Sequence, residues 1–102
     1  MKFYKNLYIG TTIKDAKKVK RKLLLNAGQI GIYVITLCKG RDQLEIYHCA
    51  FLQQKYYRKN PPYIIGIANG YDEAVEIVRQ TAAEAYACNG NCDLKKYILD
   101  RK

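Results

Sequence analysis

Short apolar runs predict four β-strands along the chain. Their ranges are 3–9, 31–38, 44–54 and 63–68. Residues 31–38 are apolar in both alternating sets, which is typical of a strand covered on both faces. Turn-forming residues join this strand to the next, so 31–54 is predicted to form a hairpin. The fourth strand is predicted to pair antiparallel with the third.

Apolar residues at helical spacing predict two main helices and a short third one. The first spans 12–27, where Thr12 and Asp15 resemble a capping box and an Asn-Ala-Gly sequence provides the stop. The second spans 71–88 and has acidic residues in its first turn, where they complement the helix dipole. Asp93 is the candidate N-cap of the last helix.

The predicted element order is β-α-β-β-β-α-α, which indicates the α+β class. We expect a four-stranded mixed β-sheet with two main helices on one face and a short C-terminal helix. The crossover through the first helix predicts that the first two strands run parallel. The 102 residues fit one domain over 1–102. If helices cover one face only, the other face of the sheet is exposed.

Positive charge is concentrated in the first part of the chain. Residues 1–62 hold 13 Lys and Arg against 3 Asp and Glu, whereas residues 63–102 hold 5 against 6. Five cations fall largely opposite the apolar face of the first helix: Lys14, Lys17, Lys18, Arg21 and Lys22. This row predicts contact with nucleic acid or another acidic partner, or alternatively a solvated helix face that supplies solubility.

Tyrosine is the other prominent residue type. The chain has ten tyrosines and no tryptophan, and most of the tyrosines lie in or beside the basic part. Tyrosine suits protein contacts because it buries area and keeps a polar tip. The main prediction is therefore a small interaction protein that forms a homodimer through the exposed sheet face, with Tyr33 and Tyr47 as anchors. The alternative is a nucleic-acid-binding accessory protein that uses the basic helix at 14–22.

Two short words bear on a possible nuclease of the GIY-YIG family. In that family the GIY word comes first and the YIG word lies on a neighbouring strand. Here Tyr-Ile-Gly at 8–10 precedes Gly-Ile-Tyr at 31–33, and the later Tyr-Ile-Ile-Gly at 63–66 has an extra residue. That family also has an Arg on the following helix and a metal-binding Glu, and Arg79 and Glu84 could take these two roles here. The order favours ordinary strand segments instead.

The cysteines and the single histidine are the candidates for metal or thiol chemistry. Cys88 and Cys92 are spaced as zinc ligands could be, with Cys38, His48 and Cys49 as possible partners. Neighbouring residues of a strand point to opposite faces, however, so His48 and Cys49 diverge. Catalysis by a thiol would also require a Cys to meet His48 as a thiolate. We therefore predict reduced thiols, no metal, no cofactor and no enzymatic activity.

The turn at 66–70 before the second helix could hold a phosphate on its backbone N–H groups. Asp72 and Glu73 already offer negative charge to that helix start. A plain strand-to-helix turn is the favoured interpretation, because these carboxylates would repel an anion.

The N-terminal residues show no long apolar run after their charges. We therefore expect no secretory signal, no membrane contact and a cytoplasmic location.

Four stretches of the chain carry a family resemblance: Leu-Glu-Ile-Tyr at 44–47, and residues 56–59, 66–74 and 93–98. They resemble a group of short bacterial proteins of unknown function. That resemblance implies a bacterial cytoplasmic setting and assigns no activity, cofactor or site.

Overall fold

The computed structural model describes residues 2–25, 29–37, 44–54, 56, 59–90 and 93–101. Its elements are β1 (Lys2–Ile9), α1 (Ala16–Leu24), β2 (Ile32–Leu37), β3 (Leu44–His48), β4 (Tyr63–Asn69), α2 (Tyr71–Asn89) and α3 (Leu94–Leu99). A 3-10 helix, Cys49–Gln53, follows β3. The four strands form one mixed sheet, so the predicted α+β class, the number of strands and the element order are confirmed.

The strands lie in the order β1-β4-β2-β3. β4 pairs parallel with β1 and antiparallel with β2, and β2 pairs antiparallel with β3 as the predicted hairpin. Consequently β1 and β2 run in opposite directions and β3 does not pair with β4, so both of those predicted pairings are wrong. The most apolar strand, β4, takes an inner position, where Ile64, Ile65 and Ile67 are completely buried.

Helices cover both faces of the sheet. On the first face, here called the α1 face, α1 and the 3-10 helix pack over a cluster that includes Val34 and Ile64. On the other, the α2 face, α2 and α3 pack over a cluster that includes Ile35 and Ile65. The prediction of two main helices on one face is therefore wrong. The reason is that β2 and β4 are apolar in both alternating sets, and only a layer on each side removes both sets from water.

The first helix begins later than predicted. Its N-cap is Asp15, whose carboxylate accepts a hydrogen bond from the Lys18 backbone N–H at 3.0 Å. Thr12 contacts a different element, because its hydroxyl donates to Glu73 of α2 at 2.6 Å. The helix ends at Leu24, and the predicted stop at 26–28 lies outside the described residues.

The third strand is shorter than predicted. It ends at His48, because the His48 imidazole Nδ1 accepts the Ala50 backbone N–H at 3.1 Å and caps the 3-10 helix. The turn between the two strands of the predicted hairpin lies outside the described residues. The bounds of α2 agree closely with prediction, and Asp93 caps α3 as predicted by accepting the Lys96 backbone N–H at 3.1 Å.

A carboxylate on α2 ties three elements of the α2 face together. Glu84 accepts hydrogen bonds from the Tyr8 hydroxyl of β1 at 2.6 Å and from the Tyr97 hydroxyl of α3 at 3.2 Å. Burial, together with the hydrogen bond to Glu84 and its charge, raises the pKa of Tyr8 far above its ordinary value. Tyr8 therefore remains a protonated donor, and β1 is held under both helices.

Candidate nucleic-acid interface

The five predicted cations form one exposed surface on α1 and the turn before it. Ala16, Val19 and Leu23 pack α1 onto the sheet, which leaves the basic side of the helix outward. Lys14, Lys17, Lys18 and Arg21 are exposed and Lys22 is half-buried. Within the described part of the chain the one ion pair joins Arg79 to Glu76 on α2. None of the five cations therefore has a carboxylate partner among these residues.

The two helical layers differ in their balance of charge. Six of the carboxylates lie on or beside α2 and α3: Asp72, Glu73, Glu76, Glu84, Asp93 and Asp100. On the α1 side the carboxylate of Asp15 is engaged in capping the helix. The α1 surface consequently carries a net positive charge that is not offset locally, and such a surface attracts polyanions.

The basic surface divides into two rows. Lys14, Lys18 and Lys22 follow each other at intervals of four residues and line one side of an open groove of about 510 Å³, here called the α1 groove. Lys17 and Arg21 do not line this groove and form a second exposed row, here called the α1 ridge. Lys18 and Lys22 share one face of α1, and Lys17 and Arg21 share another, so the two rows point in different directions; Lys14 lies in the turn before the helix.

The remainder of the α1 groove combines apolar and polar residues. Ile13, Val19, Ile30 and Ile32 supply apolar surface, Thr12, Gln29 and Asn69 supply polar groups, and Asp15, the N-cap of α1, supplies one carboxylate. Only the interval of four between the lysines was a sequence signal for this site. Asn69 reaches the groove from the end of β4, and no local pattern predicts that approach.

The two predicted tyrosine anchors lie on opposite faces of the sheet. The β2–β3 register pairs Tyr33 with His48 and Val34 with Tyr47, so Tyr47 shares the α1 face with Val34 and Tyr33 points to the α2 face. Tyr33 makes edge contacts with the rings of His48, at 5.2 Å between centroids, and Tyr71, at 5.8 Å. No uncovered sheet face presents both anchors, because each face carries a helical layer.

The candidate thiol chemistry does not assemble. The Cys49 thiol is buried and donates to the Gln29 carbonyl at 3.3 Å, and its burial raises its pKa. His48 points to the other face, against Tyr33. Cys88 is exposed and accepts a hydrogen bond from the Arg101 guanidinium at 2.7 Å. Cys38 and Cys92 lie outside the described residues.

The residues considered for a metal site and for a nuclease site do not assemble as complete sets in the described structure. Across the described ranges, no three His, Cys, Asp or Glu side chains are grouped as metal ligands would be. β4 separates the strands that carry the words at 8–10 and 31–33. Glu84 accepts a hydrogen bond from Tyr8 of the word at 8–10, whereas Arg79 pairs with Glu76 on its own helix.

The turn at 66–70 is occupied by a carboxylate of the protein itself. Glu73 accepts the Asn69 backbone N–H at 2.9 Å and the Thr12 backbone N–H at 3.2 Å, in addition to the Thr12 hydroxyl. Burial raises the pKa of Glu73, but these three hydrogen bonds together outweigh it and hold the pKa below its ordinary value. A charged carboxylate at this position leaves no place for a phosphate.

Comparison with known proteins gave no match to a family model, to a curated protein or to a solved structure. The resemblance to short bacterial proteins therefore stays a prediction. None of the described helices is long and apolar enough to cross a membrane. The function has to be argued from the surfaces of the molecule.

Proposed function

We propose that the protein is a non-enzymatic binding protein that contacts the phosphate backbone of a nucleic acid through α1. The observation that carries the proposal is the group of five cations on and beside α1, none of which has a carboxylate partner in the described structure. Lysine and arginine side chains that neutralise phosphates release condensed counterions, and this release supplies most of the sequence-independent affinity for nucleic acid. The opposite helical layer carries six carboxylates, of which Glu73 reaches Thr12 and Asn69 at the edge of the α1 groove.

Solubility alone is a weaker explanation of the same cations. Interspersed charges of both signs are typical of a surface that only confers solubility. On this molecule the layer of α2 and α3 mixes its carboxylates with cations such as Arg79 and Lys96, whereas the α1 surface is predominantly cationic, and this difference creates a directional field. That field favours the binding of a polyanion at one defined surface.

The first prediction is that Lys18→Glu with Arg21→Glu weakens binding at least tenfold. Each phosphate contact contributes about 0.9 to the slope of log K against log salt on duplex DNA, so the slope should fall by about 2. The measurement is fluorescence anisotropy with mixed-sequence oligonucleotides at about 50 and 200 mM salt.

The matched control is Lys95→Glu with Lys96→Glu on α3, which makes the same change in charge on the other layer. The α3 variant should bind like the wild-type protein apart from a small general charge effect. Equal losses in both variants, or no salt-dependent binding by the wild-type protein, would contradict the proposal. Competition by polyglutamate at equal charge concentration would identify a general acidic partner instead.

Self-association is a second candidate function. The contact would form through an outer strand of the β-sheet and not through a sheet face. β3 is an outer strand of the four-stranded sheet, and an outer strand is a template for pairing with another chain. Tyr33 lies beside it on one face, and Tyr47 lies on the other beside Phe51, which is 47% exposed. Pairing of two β3 strands would bury aromatic surface from both faces.

The second prediction is that Tyr47→Lys abolishes dimer formation, because a charge on an edge strand opposes strand pairing. Sedimentation at micromolar concentration should show about twice the 11.8 kDa monomer mass for the wild-type protein and the monomer mass for the variant. Tyr86→Lys, at an exposed position on α2, is the control that should remain dimeric. A wild-type protein that is strictly monomeric removes this candidate.

A further inference from the structure

We infer that the α1 groove takes unpaired nucleotides, so that the protein binds single-stranded nucleic acid in preference to a duplex. This inference rests on the proposed function and specifies its ligand. The residues concerned are Lys14, Lys18 and Lys22, here called the groove row. The α1 ridge makes phosphate contacts that do not distinguish single strands from duplexes.

The position of the groove follows from the topology. β1 and β4 are parallel neighbours, and the chain leaves β1 toward α1 on one face and leaves β4 toward α2 on the other. Where successive connections diverge in this way, a crevice opens beyond the carboxyl ends of the parallel strands, and ligands bind in such crevices. Thr12, just after β1, and Asn69, the last residue of β4, both line the α1 groove.

Within that crevice, the side that can accept an anion is the lysine row, whose three cations exceed the one carboxylate there, that of Asp15. Glu73 already occupies the N-terminal end of α2 with its carboxylate, which accepts from Asn69 and Thr12. Phosphate is therefore excluded from that helix end by charge repulsion. Lys18 and Lys22 lie one helical turn apart, about 6 Å along the axis, and offer successive charged contacts.

The other walls of the groove match the parts of a nucleotide that a duplex hides. Ile30 is 99% exposed at the groove, next to the buried Ile32, and provides apolar surface for the face of a base. The side-chain amides of Gln29 and Asn69 carry both donors and acceptors, as the edge of a base does. In a duplex the base faces are stacked and the pairing edges are occupied. Only an unpaired nucleotide can therefore contact the lysines, the apolar surface and the side-chain amides together.

The size of the groove supports the same choice. A volume of about 510 Å³ lies in the range of roughly 300 to 1,000 Å³ that holds small ligands. A base with its sugar and phosphate belongs to this size class.

The test compares two pairs of substitutions that remove equal charge. Lys18→Gln with Lys22→Gln alters the groove, and Lys17→Gln with Arg21→Gln alters the ridge. Anisotropy is measured with a labelled single strand of about 12 nucleotides, within the site sizes known for such binding, and with the same strand annealed to its complement. A third variant, Ile30→Ser, changes the groove without changing its charge, and thermal melting confirms that each variant is folded.

We expect the wild-type protein to prefer the single strand by about tenfold. The groove pair should lower single-strand affinity on the order of tenfold and reduce the salt slope by about 1.4, at 0.7 per phosphate contact. Ile30→Ser should lower it several-fold with the salt slope unchanged, because contact with a base is not electrostatic. The ridge pair should keep the preference for the single strand.

This inference would be overturned if the protein bound the single strand and the duplex with equal affinity and if the groove and ridge substitutions lowered that affinity equally. The proposed function would then still stand. An Ile30→Ser variant that binds the single strand as tightly as the wild-type protein would overturn it as well. Absence of salt-dependent binding to either form would overturn the inference and the proposed function together.

Discussion

Replacing Gly10 with Ala should lower the free energy of unfolding by about 2 kcal/mol. A Cβ at this position would lie 1.6 Å from the Glu73 carboxylate oxygen Oε1, so the carboxylate has to move away. The side chain of Glu73 is flexible, and the cost is therefore the loss of its three hydrogen bonds to Asn69 and Thr12, each contributing about 0.5 to 1.5 kcal/mol. The melting temperature should fall by roughly 10 °C.

A double-mutant cycle tests whether Glu73 is the cause. If the loss comes from displacement of the carboxylate, Gly10→Ala should cost little in a Glu73→Ala background, and the two changes should be clearly non-additive. Additive losses would show that Gly10 matters for another reason. Because Thr12 and Asn69 line the α1 groove, Gly10→Ala should also weaken single-strand binding, while binding through the α1 ridge persists.

Replacing Ile35 with Ala should lower the free energy of unfolding by about 2 to 5 kcal/mol, the range seen for large-to-small changes in a core. Ile35 is fully buried on β2, and its Cδ1 atom packs beside Gly66, close to where Ile77 of α2 also approaches. Removing the side chain leaves a cavity between the sheet and α2 that the rigid strands cannot close.

The matched control for this core change is Ile30→Ala, because Ile30 is 99% exposed. The same chemical truncation at that position should change stability by less than about 0.5 kcal/mol. Chemical denaturation of both variants, with unchanged slopes against denaturant, gives the comparison. Similar losses at the two positions would contradict the assignment of Ile35 to the core beneath α2.

Elements set by local sequence were predictable. The apolar spacing of Ala16, Val19 and Leu23 determined both that α1 forms and that its lysines face outward, because one side of a helix must leave water. The double apolar pattern of 31–38 correctly indicated a strand covered on both faces. Asp93 and the acidic first turn of α2 likewise marked helix starts, since caps and dipoles act over a few residues.

Contacts between distant residues were decided by the tertiary structure. The insertion of β4 between β1 and β2 depends on pairing between strands that are distant in the sequence, and strand periodicity carries no information on the choice of neighbour. The same holds for Thr12, a plausible local cap whose hydroxyl instead donates to Glu73, 61 residues away. The faces of Tyr33 and Tyr47 were fixed by the β2–β3 register, in which a one-residue shift reverses every side chain.

The candidate interface depends on both the local sequence and the tertiary structure. The sequence by itself determined that Lys17, Lys18, Arg21 and Lys22 lie on the side of α1 away from its apolar face, because helical spacing is a local property. Only the tertiary structure divided the basic residues into a groove row and a ridge, because the groove is also lined by Ile30 before β2 and by Asn69 at the end of β4. Those residues meet α1 through the topology of the sheet, which places the carboxyl end of β4 beside the turn that precedes the helix.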